Sequence, residues 1–284
     1  MSERGRAVSI ALVLGAIVSV QVGAAVATTL FDELGPTGTV MLRLGFAAIV
    51  LVAIWRPSIA GLRGAQRRDV VLFGLTLAGM NTCFYLALDR IPLGIGVTLE
   101  FVGPLGVALA FSHHRVDLLW AGLAGAGILL LSPLPGGDLD ALGCVLALLA
   151  GGFWAAYIVL AERIGRSFPG GQGLALAMVV AGALLLPIGV ADAGAELLSP
   201  GLLAAGLAVA ILSSAIPYSL ELEALRRLPR GTFGVLMSLE PAVAATVGFV
   251  GLDQGLAANE VLAIALVVVA SAGALRTAPP PIEA

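Results

Sequence analysis

Three ionisable side chains, Arg43, Glu100 and Glu240, stand inside long apolar runs of this 284-residue sequence. A charge at the centre of a membrane helix costs about 2.5–3.5 kcal/mol on insertion scales, so each needs a partner, a wet cavity or a function. A carboxylate that moves between water and low dielectric changes its proton affinity as it moves, and can take up a proton on one side and release it on the other. Glu100 and Glu240 are the candidates for that chemistry. The structural alternative is a carboxylate paired permanently with Arg43 or hydrogen-bonded as a neutral acid. Arg43 itself either fixes a helix contact or receives a carboxylate from a ligand.

Two prolines stand close to these carboxylates. A proline inside a helix offers no N–H to the carbonyl four residues earlier and bends the chain there. Pro104 therefore frees the carbonyl of Glu100, and Pro241 that of Met237. Either a polar pocket forms at the two kinks, or the kinks serve packing alone. Further polar groups lie at helical spacing. Asn81 and Tyr85 are four apart and share a face, as do Ser214 and Tyr218; Trp154 and Tyr157 are three apart, and Gln21 adds an amide. Tyr85 lies near a helix end, where an interfacial position competes with a lining one. Ser213 and Ser214 either line the interior or bond their own helix.

Other reactive residue types do not form a constellation. His113 and His114 are adjacent, without the i,i+4 spacing of a helical metal site, and Cys83 and Cys144 both lie inside apolar runs. There is no His-Glu-x-x-His, no Gly-x-Ser-x-Gly and no glycine-rich loop ending in lysine. The expectation is a chain with no metal, no cofactor, no catalytic residues and no direct use of ATP.

The elements that position these residues follow from composition. Hydrophobic residues make up 59% of the chain and charged residues 12%, against about a quarter charged in soluble domains. With a mean hydropathy of +1.05, a soluble globular domain and a disordered chain are both excluded. A spanning helix needs about 20 apolar residues, so ten would use roughly 200 of the 284 and leave little for any extramembrane domain. Breaks at charges, Pro and Gly give spans at 7–30, 36–56, 70–88, 92–112, 115–132, 139–161, 171–190, 200–222, 230–251 and 257–276. The expected fold is therefore an all-α membrane protein of ten transmembrane helices, closely packed through Gly- and Ala-rich stretches such as 121–127. The first run, preceded by Arg4 and Arg6, imitates a signal peptide but is longer than a signal core, and is expected to be the first membrane helix.

Charge sets the orientation. The chain has no lysine, and with a cytoplasmic N-terminus 13 of its 15 arginines fall in inner loops or tails. Arg90 falls outside and Arg43 within a span, while Asp32, Glu33, Asp89, Asp138, Asp140, Asp192, Glu196, Asp253 and Glu260 lie on the outer side. The positive-inside rule then predicts both termini in the cytoplasm. Basic clusters confined to short loops beside helix ends are topology signals, and no nucleic-acid partner is expected.

The halves look duplicated. Ala-Leu-Asp-Arg-Ile-Pro at 87–92 matches Ala-Leu-Arg-Arg-Leu-Pro at 224–229, and Gly103-Pro104 matches Glu240-Pro241, both at an offset of 137. Spacing is thus held through a whole helix. Five helices per half is an odd number, so the second copy enters the membrane inverted, giving repeats at 1–138 and 139–284. Inverted repeats are a transporter device, with the site near the midplane between them. With about 1.5 Å rise per residue, Glu100 lies roughly 12 Å beyond Pro92 and Glu240 roughly 16 Å beyond Pro229, both near mid-membrane.

A family resemblance rests on particular runs. They are Gly79-Met80-Asn81, Phe84-Tyr85-Leu86, Pro92-Leu93-Gly94-Ile95, Leu99-Glu100-Phe101 and Gly103-Pro104-Leu105 in the first half. In the second half they are Trp154-Ala155 with Tyr157, Ala210 to Ser213, Pro217 to Glu221, Thr232-Phe233-Gly234, Leu236-Met237-Ser238 and Glu240-Pro241-Ala242. On these the chain resembles the drug/metabolite transporter superfamily, in the group of two five-helix repeats, and within it the bacterial inner-membrane exporters of threonine and homoserine. The resemblance implies a multi-pass protein of the inner membrane that exports small amino acids by alternating access, with proton coupling. The partners implied are amino acids, protons and the lipid bilayer, with a homodimer open. Broader export of amino acids or amphipathic drugs is the nearest competing expectation, and a non-transporting receptor or scaffold is the one from another class. An amino-acid zwitterion needs acceptors for its ammonium and donors for its carboxylate, for which Glu100, Glu240, Arg43, Asn81, Tyr85, Trp154, Tyr157, Ser214, Tyr218 and Gln21 are the candidates.

Overall fold

The computed structural model describes residues 3–60, 62–110, 116–131, 139–217, 220, 224 and 236–277. Among these every regular element is helical. That is the expected answer to a hydrocarbon solvent, in which backbone N–H and C=O groups must be satisfied within the segment. The helices are α1 Glu3–Thr28, α2 Phe31–Trp55, α3 Gly64–Leu88, α4 Leu93–Glu100, α5 Val102–Ala110, α6 Asp117–Leu131, α7 Ala141–Ser167, α8 Gln172–Ala193, α9 Pro200–Ala210, α10 Glu240–Leu252 and α11 Ala258–Thr277. A 3-10 turn, Gly194–Leu198, joins α8 to α9, and a π-helical turn, Ile211–Ala215, continues α9. By length and composition α1, α2, α3, α7 and α8 are long enough to cross a bilayer, and five shorter apolar stretches lie at Leu93–Val107, Leu119–Leu130, Pro200–Ala215, Glu240–Leu252 and Ala258–Gly273.

The bundle is apolar outside, and its core, also mostly apolar, encloses the three charges of the membrane runs. Ile49, Leu129 and Val250 are 64%, 72% and 75% exposed, whereas Arg43, Glu100 and Glu240 are 6%, 8% and 6% exposed. Helix α2 packs along α8, α3 along α7, α6 along α11 and α4 along α10, while α1 lies against α10 and the π-turn. Contacts between the two halves of the chain therefore build the core.

The prolines do more than bend a helix. The span expected at 92–112 is two helices, α4 and α5, interrupted at Phe101, three residues before Pro104. Residues 236 and 237 are helical, Ser238 and Leu239 turn, and Pro241 then occupies the opening turn of α10, where its missing N–H costs nothing. Phe101 and Ser238 are 137 residues apart, the offset of the sequence repeat. Close packing fixes the first break. A Cβ added to Gly103 would collide with the Gly151 carbonyl, and one added to Gly151 would lie 2.6 Å from the Glu100 carbonyl. The interrupted backbone therefore rests directly on α7. The N-terminus of α4 is held from the other half, where Gln254 Oε1 accepts a hydrogen bond from the Leu93 N–H at 2.9 Å.

Candidate functional site

The helix breaks open onto a cavity of about 540 Å³, within the roughly 300–1,000 Å³ usual for small-molecule sites. Its polar lining comes from elements far apart in sequence: Gln21 of α1, Arg43 of α2, Asn81 of α3, Glu100 of α4, Trp154 and Tyr157 of α7, Ser213 of the π-turn, Glu240 of α10 and Ser271 of α11. Apolar residues such as Met80, Phe84, Val97, Leu105 and Ile158 fill the remaining wall.

Arg43 is held on two sides. Its NH1 donates to the Tyr85 hydroxyl at 3.2 Å and its NH2 to the Ser213 carbonyl at 3.2 Å. The π-turn exposes that carbonyl, because one residue too many per turn displaces the i→i−4 ladder. The preceding carbonyl, of Leu212, accepts from Ser19 Oγ at 2.7 Å. Tyr85 is fully buried, with Phe31 and Phe84 around it at ring-centroid distances of 5.7 and 6.3 Å. The guanidinium is thus fixed in place with its charge at the cavity wall.

The two carboxylates occupy different backbone settings. Glu100 ends α4 at the first break, within electrostatic range of Arg43. Glu240 opens α10 after the second break, where the N-terminal turn favours negative charge, and its Oε1 lies 3.5 Å from Gln21 Nε2. Trp154 meets the Phe101 ring edge-on at 5.4 Å, and Tyr157 stacks on Phe73 at 5.2 Å. These contacts seat the first break on α7. The cavity offers one guanidinium and two carboxylates, with hydroxyl and amide groups on the same lining, which is the set a small zwitterion needs. Among the described residues no three His, Cys, Asp or Glu side chains converge as metal ligands do.

Of the residues singled out by sequence, Gln21, Arg43, Asn81, Glu100, Pro104, Trp154, Tyr157 and Glu240 line this cavity. Tyr85 is neither interfacial nor lining, since it stands behind Arg43 as a support. Ser214 is buried away from the wall, which its neighbour Ser213 reaches instead, and Pro241 is buried at the start of α10. Tyr218, His113 and His114 lie outside the described residues. Cys83 and Cys144 are free thiols. Ser271 escapes sequence reasoning, although it is an isolated polar residue in the Val- and Ala-rich α11. The hydroxyls of Ser213 and Ser271 and the Gln21 Oε1 have no hydrogen-bond partner among the described residues. A buried polar group left so costs about 1–3 kcal/mol.

Comparison with known proteins agrees with this architecture. The model of the EamA-like transporter family matches residues 141–276. The threonine/homoserine exporter RhtA of Escherichia coli K12 is 43% identical over 271 residues, covering 94% of this chain and 91% of that protein. Its counterpart in Salmonella typhimurium LT2 gives the same identity and coverage. One solved crystal structure, 18% identical, superposes with a TM-score of 0.65 over 95% of this chain and 97% of its own, and so shares the fold. With a relative this similar along nearly its whole length, the chain is a membrane transporter, not an enzyme, and belongs to the EamA-like transporter family.

Proposed function

We propose that this chain is a secondary active exporter of threonine and homoserine in the bacterial inner membrane, with ten spanning helices and both termini in the cytoplasm. The observation that carries the reading is the single cavity in which Arg43, Glu100 and Glu240 meet. The substrate carboxylate pairs with Arg43, whose fork of donors suits it. The substrate ammonium pairs with Glu100 and Glu240. A proton and an ammonium then compete for the same carboxylates, so proton entry from one side releases the substrate to it, and antiport follows without any further device. The name of the 43% identical relatives supports the substrate class.

Alternating access between repeats at 1–138 and 139–284 is supported by the way the helices pair. In the order of the ten spans, the second packs on the seventh, the fourth on the ninth and the fifth on the tenth; the third packs on the sixth as the first does on the eighth. Exchanging the halves maps this set of contacts onto itself. The breaks at Phe101 and Ser238 are equivalent under the same exchange.

A broader substrate range is the second reading, favoured by the largely apolar wall and by a volume ample for a longer side chain. A proteoliposome assay separates the two. Vesicles loaded with labelled threonine are challenged with an amino-acid and organic-cation panel. The main reading predicts competition by threonine and homoserine and none by leucine, phenylalanine or tetraphenylphosphonium. Equal competition by the bulky compounds supports the broad exporter, and no threonine flux at all rejects the main reading.

A further inference from the structure

Serine and threonine in a helix ordinarily bond a carbonyl three or four residues earlier. Thr39, Thr98 and Thr246 do so here, onto Gly35, Gly94 and Ala242. The two serines on the cavity wall do not. Ser213 and Ser271 are each 1% exposed, and their hydroxyl oxygens, like the Oε1 of the 4% exposed Gln21, have no partner among the described residues. The local backbone makes room for this arrangement. Ser213 lies in the π-turn, and Gly23 of α1 passes so close that any Cβ there would strike its hydroxyl. Three buried polar groups with spare bonding capacity thus border one cavity, each positioned by a different element.

The two amino acids of the proposed function share a chemistry that meets these groups. Both are 2-aminobutyrate with one added hydroxyl, on the β carbon in threonine and on the γ carbon in homoserine. A rotatable serine hydroxyl donates and accepts, so a pair of them can follow a ligand hydroxyl from one carbon to the next. We propose that Ser213 and Ser271, with the Gln21 carboxamide, form a hydroxyl-recognition subsite that selects hydroxylated side chains over the aliphatic one of equal length. The subsite rests on the exporter reading, in which Arg43 and the two carboxylates hold the zwitterion. A ligand without the hydroxyl offers these groups no hydrogen-bonding partner and gains nothing from them.

Calorimetric titration of the purified full-length protein with threonine, homoserine and 2-aminobutyrate tests this. The native protein binds both hydroxylated ligands about five- to tenfold more tightly than 2-aminobutyrate, the worth of one or two net hydrogen bonds. Ser213→Ala and Ser271→Ala lower that ratio towards one by weakening threonine and homoserine, with 2-aminobutyrate unchanged. Ser213→Cys and Ser271→Cys keep the side-chain shape with a larger atom and a weaker donor, and replace any alanine variant that does not fold. A native ratio near one overturns the subsite, as does an unchanged ratio in the variants. Equal weakening of all three ligands in a variant with a native melting transition overturns it as well, because such a loss is not hydroxyl-specific. Failure of the folded native protein to bind any of the three rejects the exporter reading, and the subsite with it.

Discussion

Arg43 donates to the backbone carbonyl of Ser213 at 3.2 Å, across 170 residues of sequence. This bond ties α2 to the π-turn after α9 and places a buried cation between the halves of the chain. The Tyr85 hydroxyl takes a second donor of the same guanidinium. Lysine keeps the charge but has no planar fork to serve two fixed acceptors and a ligand carboxylate at once. Arg43→Lys is therefore expected to fold and to bind threonine about tenfold more weakly, the loss of one charge-assisted bond. Arg43→Ala leaves the Tyr85 hydroxyl and the Ser213 carbonyl without this partner. Its expected cost is about 1.5–3 kcal/mol in thermal unfolding in detergent, with binding abolished.

The close approach at the first helix break gives a purely steric prediction. Gly151 has no room for a methyl group beside the Glu100 carbonyl, whereas a Cβ at Gly152 meets nothing within 4 Å. Gly151→Ala should push α7 off the break, lowering both the melting temperature and threonine affinity. Gly152→Ala, one residue along the same helix, should change neither. Equal behaviour of the two variants would mean that the contact does not position Glu100.

Outside the cavity, two contacts near the start of α7 separate structural from incidental charge. Asp140 caps α7 by accepting from the Gly143 N–H at 2.7 Å, and also pairs with Arg90 at 3.5 Å, with both side chains about 40% exposed. Caps of this kind are worth about 1 kcal/mol, while exposed ion pairs contribute roughly 0–1 kcal/mol. Asp140→Ala is expected to lower the melting temperature measurably. Arg90→Ala is expected to leave it within error.

Gln254 reaches from the segment between α10 and α11 to the N-terminus of α4. Removing its carbonyl in Gln254→Leu leaves the Leu93 N–H without that acceptor, at about 1–3 kcal/mol. Hydrogen exchange read residue by residue should show α4 amides losing protection in this variant while those of α8 keep theirs.

The charged part of the site is legible in the sequence because a charge in an apolar run has few explanations. Arg43, Glu100 and Glu240 all reach one cavity. Spacing is a weaker guide to depth. Asn81 and Tyr85 share a helix face, yet one lines the cavity and the other stands behind Arg43, since which turn meets the opening depends on how α2 packs. The prolines predict a bend and the structure contains breaks, because Gly103 and Gly151 let the backbones approach closely enough to seat an interrupted helix. The π-turn at Ile211–Ala215 has no signature in residue type, so it is the fold alone that brings Ser213 to the wall in place of Ser214. Ser271 is hidden for a different reason, as a single serine in a membrane helix ordinarily bonds its own backbone.

Competition of proton and substrate for Glu100 and Glu240 is the central claim. Its most direct test is labelled threonine flux in proteoliposomes under an imposed pH gradient, for the native protein and for Glu100→Gln and Glu240→Gln. The account predicts gradient-driven flux in the native protein, lost in at least one variant that still exchanges threonine for threonine or still binds it. Native, gradient-driven flux surviving in both variants would contradict it.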